Sequence, residues 1–263
     1  ISFITSLIFA VLIFDFFAGV NFNLSWNGFF VGDSIKESSS LNQNLDKKID
    51  LIGNDSFEIE VVAINDSSQA VVVINKKTFE VKITSVPEEV IKADKVILPG
   101  VGDFFYCKNE LLKINGMVDA INYFIKDKQK PFLGICIGMQ LMANVSYERK
   151  KNKGLEFIDS EVIIIESESK EIRVPHMGWN NVHLENKSKE KDFPSLKNND
   201  FYFVHSYHVS EIEEVSVAAE CRYGKNFACA VEIDNVMATQ FHPEKSHKFG
   251  LKFLETFVEN EEF

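Results

Sequence analysis

The stretch LGICIGMQLM (residues 133–142) sets one cysteine, Cys136, between two glycines where a strand-like run meets a helix-like run. A cysteine that only packs behaves as a small hydrophobe and needs no flanking glycine. A nucleophile at a strand-to-helix elbow does need them. The chain turns sharply there, and Gly134 and Gly138 let the strand and helix close on each other. The same placement sets the sulfur at the positive end of the helix, which favours thiolate. On these residues alone two readings stand, a packing cysteine and a nucleophile.

Outward from this seam the pattern alternates between strand and helix. KVILPG (95–100) is a short apolar run closed by Pro-Gly, and PFLGIC (131–136) is a second, both in the manner of buried parallel strands. Between them ELLKINGMVDAINYFIKDK (110–128) carries helix-spaced apolar residues, weakened in the middle by Gly116. PEEVIKAD (87–94) reads as a short helix, and IGMQLMANV (137–145) as the helix after Cys136. FEIEVVAI (57–64), AVVVI (70–74) and FEVKITS (79–85) read as strands. The order predicts an α/β fold, a mainly parallel central sheet flanked by helices with right-handed crossovers. Sites in such sheets form beyond the C-terminal strand ends, where Cys136 lies. The second half is strand-rich: EVIIIES (161–167), FYFVHSYHV (201–209), VSVAAECRY (215–223), FACAVEI (227–233) and VMATQFHPE (236–244). These predict an antiparallel extension, closed by the helix KFGLKFLETFVEN (248–260).

Composition narrows the class. With 263 residues, 45% hydrophobic and 25% charged, the chain is of soluble globular type. A formal net charge of −11 argues against nucleic acid as the main partner, because phosphate binding needs a basic footprint. Its four cysteines, Cys107, Cys136, Cys221 and Cys229, form no CxxC pair and no zinc-finger spacing. They read as thiols of a reducing compartment, which predicts the cytoplasm. No Walker loop or ligand cluster predicts a metal or nucleotide cofactor. Residues 1–20 are strongly apolar, but Asp15 interrupts them and no basic region precedes them, so neither a membrane span nor a signal peptide is expected. Residues 32–56 are rich in Ser, Asn, Asp and Lys and read as a linker. The expected division is therefore 1–56 outside the catalytic unit and 57–263 within it.

A cysteine nucleophile wants a base and a group to orient that base. His242 ends the strand VMATQF, with Glu244 two residues on. In extended chain i and i+2 share a side, so the carboxylate can reach the imidazole. The alternative is a solvated loop pair. One oxyanion donor can come from the Ile137 N–H, and a second from LPGVGDF (98–104), whose glycines let a peptide turn its N–H inward. That loop is equally consistent with a plain tight turn.

LPGVGDF, LGICIGMQLM, KGLEF (153–157), VPHMGWNNV (174–182), FYFVHSYHV and TQFHPEKSHKFGLKFL (239–254) together make the chain resemble the triad-type, class I glutamine amidotransferases. These have a flavodoxin-like α/β fold. Among them it is most similar to the glutaminase subunit of imidazole glycerol phosphate synthase, over residues 79–258. The resemblance implies that Cys136 attacks the side-chain amide of L-glutamine, with His242 as base and Glu244 orienting it. It implies an oxyanion hole at Gly102 and Ile137, and substrate contacts at Gln140, Glu148, Ser206 and Tyr207. Pro175, His176, Met177 and Lys245 would face a (β/α)8 cyclase subunit that takes the ammonia in a heterodimer. No cofactor is implied. Glu148 also reads as part of a solvated loop, YERKKNK (147–153), and His176 as a merely structural interface residue. His205 has no carboxylate near it in sequence. Two other functions stay open, a paralogue feeding ammonia to surface-polysaccharide sugar amidation and a catalytically silent relative. One departure is clear: where the family carries Asp-Tyr-Gly-x-Gly-Asn after its first strand, this chain keeps Asp66 but lacks the glycines and the Asn. Weaker docking of the cyclase is expected from it.

Overall fold

The computed structural model describes residues 46–50, 58–62, 71–75, 80–166, 172–184, 193–210, 212–213 and 216–259. The apolar run 1–20, most of the linker and the altered loop at 65–70 lie outside the described residues. Within the linker, strand β1 (Asp46–Asp50) pairs antiparallel with β2 (Glu58–Val62), so the expected boundary at 57 falls between two paired strands.

The centre of the fold is built from short, largely apolar runs that are buried at every position. β5 (Lys95–Leu98) and β6 (Phe132–Ile135) are buried along their whole length and lie parallel. Both faces of such strands are covered, hence no polar alternation. β15 (Val236–Thr239) lies parallel on the other side of β6 and is also fully buried. Around this core the sheet has nine strands in the order β11-β10-β13-β14-β15-β6-β5-β3-β4. The outer members are β3 (Val71–Asn75), β4 (Glu80–Thr84), β10 (His176–Leu184), β11 (Asn199–His205), β13 (Val217–Tyr223) and β14 (Lys225–Ile233).

The α/β class with an antiparallel extension holds, but the sheet is mixed rather than mainly parallel. Among the described residues of this sheet only β15·β6 and β6·β5 pair parallel. The connections explain this. Gly224 alone (φ +75°) links β13 to β14, and Asp234-Asn235 links β14 to β15. Links that short cannot carry a crossover, so each strand must reverse.

The helices also depart from the periodicity. α1 (Pro87–Lys92) is as expected. α2 (Phe104–Lys113) starts earlier than its apolar pattern, because the Asp103 side chain caps it by accepting from the Tyr106 N–H at 2.8 Å. Gly116, at φ +83°, then separates it from α3 (Met117–Asn122), and a π-helical turn follows at Tyr123–Asp127. The helix after Cys136, α4, spans only Ile137–Leu141, and Ala143–Ser146 is strand β7 instead. The reason is a competing segment. The N–H groups of Leu155, Ile158 and Gly154 take the carbonyls of Leu141, Met142 and Asn144 at 2.7, 2.9 and 2.8 Å. A Cβ on Gly154 would stand 1.8 Å from the Ala143 oxygen, so only glycine permits that approach.

β7 belongs to a second sheet of four strands with β8 (Asn152–Lys153), β9 (Ile158–Ile164) and β12 (Tyr207–Ser210). The run FYFVHSYHV is thus two strands that leave Ser206 at the switch between sheets, next to the elbow of β6. The last helix, α5 (His247–Glu259), buries Phe253, Leu254 and Phe257 against the main sheet. Lys95, fully buried at the start of β5, donates its Nζ to the Phe257 carbonyl at 2.6 Å, a cation on the C-terminal end of that helix. Among the described residues no helix is long and apolar enough to cross a membrane.

Candidate active site

Cys136 sits at φ +54°, ψ −108°, a conformation that costs a non-glycine residue roughly 1–3 kcal/mol. The surroundings fix it there. Its N–H donates to the Thr239 carbonyl at 2.7 Å, tying the elbow to β15. A Cβ on Gly138 would meet the Leu98 oxygen at 1.9 Å, and one on Gly134 would meet the Met142 sulfur at 2.7 Å and Gly138 backbone at 3.0 Å. Contact with backbone requires glycine at 138, and at 134 it leaves a side chain little room.

His242 and Glu244 arrive from the end of β15. The ring Nδ1 and the Glu244 Oε1 are 2.6 Å apart, and both side chains are buried. The donor is Nδ1–H, since a carboxylate can only accept. Backbone contacts fix the segment: the His242 N–H donates to the Tyr202 carbonyl at 2.9 Å, and the Ser246 hydroxyl donates to the His242 carbonyl at 2.6 Å. Burial alone would lower the His242 pKa, but the charges of Glu244 and Cys136, with the hydrogen bond to Glu244, raise it to about 10.

Beside the sulfur lies a cavity of about 210 Å³. It is below the roughly 300–1,000 Å³ of drug-sized sites and suits a small molecule. Gly102, Cys136, Ile137, Gln140, Glu148, Ser206 and Tyr207 all line it, together with Pro175 and His205. Glu148 is held rather than solvated: its Oε2 accepts from the Phe104 N–H at 2.8 Å, at the start of α2. Burial, and the nearby Asp103, raise its pKa against the lowering effect of that N–H. Gln140 is buried, and its Nε2 donates to the Tyr207 carbonyl at 2.8 Å and to the Gln240 Oε1 at 3.1 Å. Its Oε1 has no hydrogen-bond partner among the described residues.

Two predicted positions, Ile137 and His176, differ in posture from the expectation. The Ile137 N–H donates to the Gly100 carbonyl at 3.3 Å, so it is already engaged, by a long bond. Gly102, at φ +103°, has open space where a Cβ would be. His176 is turned inward: it is 3% exposed, stacked between Phe203 and Tyr223 at 4.7 and 3.9 Å, with its Nδ1 3.0 Å from His205 Nε2. Burial lowers its pKa to about 4. Its neighbour Met177 faces out at 62% exposure, and Lys245 is half-buried with its Nζ 5.9 Å from the Tyr202 ring centre. The other thiols are set apart from this chemistry. Burial pushes Cys107 and Cys221 up to about 12 and raises Cys229 as well.

Sequence reading missed Gln240. The signal was available: it stands two residues before His242, and so on the same side of an extended chain.

Comparison with known proteins agrees with this geometry. The family model "Glutamine amidotransferase class-I" matches residues 38–260. The imidazole glycerol phosphate synthase subunit HisH of Pelagibacter ubique is 39% identical over 186 residues, covering 70% of this chain and 88% of that protein. The HisH subunit of Methanocaldococcus jannaschii is 45% identical over 184 residues, covering 68% and 87%. Among solved structures, a glutamine amidotransferase superposes with a TM-score of 0.50 at 19% identity, over 68% of this chain and 85% of that one, a likeness of fold. The chain therefore belongs to the class I glutamine amidotransferases, in the branch of the HisH subunits.

Proposed function

We propose that this chain is the glutaminase subunit of imidazole glycerol phosphate synthase. It hydrolyses L-glutamine to glutamate and ammonia, and the ammonia passes to a cyclase subunit that makes imidazole glycerol phosphate and AICAR in histidine biosynthesis. The observation that carries the reading is a cysteine at a positive-φ elbow, served by a buried His242–Glu244 pair at 2.6 Å, beside a cavity that fits a small substrate.

The chemistry follows from the residues. A His242 with raised pKa holds a proton at neutral pH, as a thiolate partner and a leaving amine both require. The Cys136 sulfur attacks the amide carbon, forming the C–S bond and an oxyanion. His242 gives its proton to the nitrogen, the C–N bond breaks, and ammonia leaves a thioester. The now neutral imidazole draws a proton from water, which attacks the thioester; the C–S bond breaks, glutamate and a proton leave, and the Cys136 thiolate is restored beside protonated His242. Gly102 and Ile137 are the oxyanion donors, and Glu148 takes the substrate's α-amino group. Gln140, Ser206 and Tyr207 complete the substrate site. Pro175, His176, Met177 and Lys245 belong to the side that meets the cyclase, with His176 acting from beneath. The pair works as a heterodimer with lyase activity in the cytoplasm, a compartment that suits four unpaired thiols.

The test uses the chain together with its cyclase. Cys136→Ala should abolish glutamine-dependent synthesis and leave ammonia-dependent synthesis intact. Loss of both activities, or of neither, rejects the assignment.

A further inference from the structure

The amide of Gln240 meets the nucleophile. Its Nε2 lies 3.6 Å from the Cys136 sulfur, within the range of N–H···S bonds, and the side chain is fully buried. Which end of a glutamine amide faces a neighbour is set by its hydrogen bonds, and here they leave one solution. The Tyr207 carbonyl can only accept, so Gln140 presents its Nε2 to it, at 2.8 Å. The same Nε2 is 3.1 Å from the Gln240 Oε1. Turning Gln240 over would set two NH2 groups against each other. Turning Gln140 over would set its oxygen against the Tyr207 oxygen.

The carbonyl that anchors this order is fixed from its other side as well. His205 Nδ1 lies 2.9 Å from Tyr207 O and must donate to it. That makes His205 Nε2 an acceptor for the His176 Nδ1–H at 3.0 Å, and His176 Nε2 an acceptor for the Asn180 amide at 3.2 Å. Burial holds both rings neutral, as this order demands. Two runs of donors thus meet at the Tyr207 carbonyl, one from Asn180 through His176 and His205 and one from Gln140, and from Gln140 the bonds lead on to the Gln240 N–H aimed at sulfur.

We infer that Gln240 is a further catalytic residue, whose Nε2–H stabilises the Cys136 thiolate and holds the sulfur in line for attack. The inference rests on the glutaminase reading above. A donor helps the charged sulfur more than the neutral thiol. The Val204 carbonyl, 4.0 Å from the sulfur, can serve only the thiol.

Two variants of the full chain, assayed with its cyclase, separate the possible roles. Gln240→Met keeps the volume and removes the amide. Gln240→Glu keeps an acceptor for Gln140 but turns a carboxylate on the sulfur. Cys136 alkylation by iodoacetamide is followed against pH by peptide mass spectrometry, beside glutamine turnover. For Gln240→Met the alkylation profile should move up by about one pH unit, the usual effect of losing a hydrogen bond to a charged group. Turnover should fall about tenfold with KM for glutamine within about twofold. Gln240→Glu should move the profile further the same way, and serves alone if the Met variant does not fold. An unmoved profile in a folded variant overturns the inference, even if KM rises, since Gln240 would then only support Gln140. Cys136→Ser is the separate control. If the parent chain with its cyclase releases no glutamate from glutamine the glutaminase reading fails, while the alkylation profiles of the parent and the Gln240 variants still decide the contact; activity kept by Cys136→Ser would instead remove Cys136 as nucleophile.

Discussion

At the residue scale the site is governed by which charges are buried with partners. His242 and Glu244 form a buried pair, so removing one leaves the other uncompensated. His242→Ala should cost the larger share of glutaminase activity and Glu244→Gln less, because an orienting group usually matters less than the base it orients. Equal losses in steady-state assays would reject that division of roles. The histidines also make opposite contributions to stability. His205 and His176 titrate near 3 and 4 in the folded chain, below their ordinary value of 6.5. The unfolded state then binds more protons, so stability falls as pH drops from about 6.5 towards 4. His242, raised to about 10, favours the fold below 6.5, and that contribution fades as pH rises towards 10. Urea midpoints should therefore decline between pH 7 and pH 5. The decline should be shallower in His205→Asn, whose amide can still donate to the Tyr207 carbonyl. A slope identical to the parent would place the titration elsewhere.

At the element scale the elbow was readable because its requirements are local. Two glycines around a cysteine, at the end of a short apolar run, already specify a strand, a sharp turn and a helix. Gly138→Ala tests the turn: its Cβ would sit 1.9 Å from the Leu98 oxygen, so β5 and α4 must part. Thermal unfolding should fall by several degrees and alkylation of Cys136 should change, whereas a neutral result would mean the elbow can relax. The His242–Glu244 spacing was local in the same sense. What periodicity did not show was decided by distant segments. MANV (142–145) reads as helix until the loop at 154–158 takes its carbonyls. FYFVHSYHV reads as one strand, yet Ser206 divides it between two sheets. The inward turn of His176 depends on Phe203 and Tyr223, which lie on other strands. Gln240 needed Gln140, a hundred residues away, to give its amide a direction.

At the scale of the whole molecule, the posture of the proposed oxyanion loop, residues 98–104, bears on how the chain and its proposed cyclase partner would work together. The Ile137 N–H is occupied by the Gly100 carbonyl, so one of the two proposed donors is withdrawn from the reacting carbonyl. The bond is long, at 3.3 Å, and the loop around it is built to yield: Gly102 has free space around it and Val101 is 38% exposed. A missing oxyanion donor costs on the order of 10²–10³ in rate. On the outer face, Met177 and Trp179 are exposed, and Trp179 stacks on His247 at 4.8 Å, at the start of the helix that follows Lys245. A partner seated there could shift the loop only if it binds the open form better than the resting one, since a ligand moves an equilibrium by its differential affinity alone. The isolated chain should then be a poor glutaminase, and adding the cyclase should raise kcat by two to three orders of magnitude with a smaller change in KM. Met177→Asp should weaken that activation at a fixed cyclase concentration without altering the basal rate. Full glutamine turnover by the chain alone would show that the Ile137–Gly100 bond is no barrier, and the coupling would have to lie elsewhere.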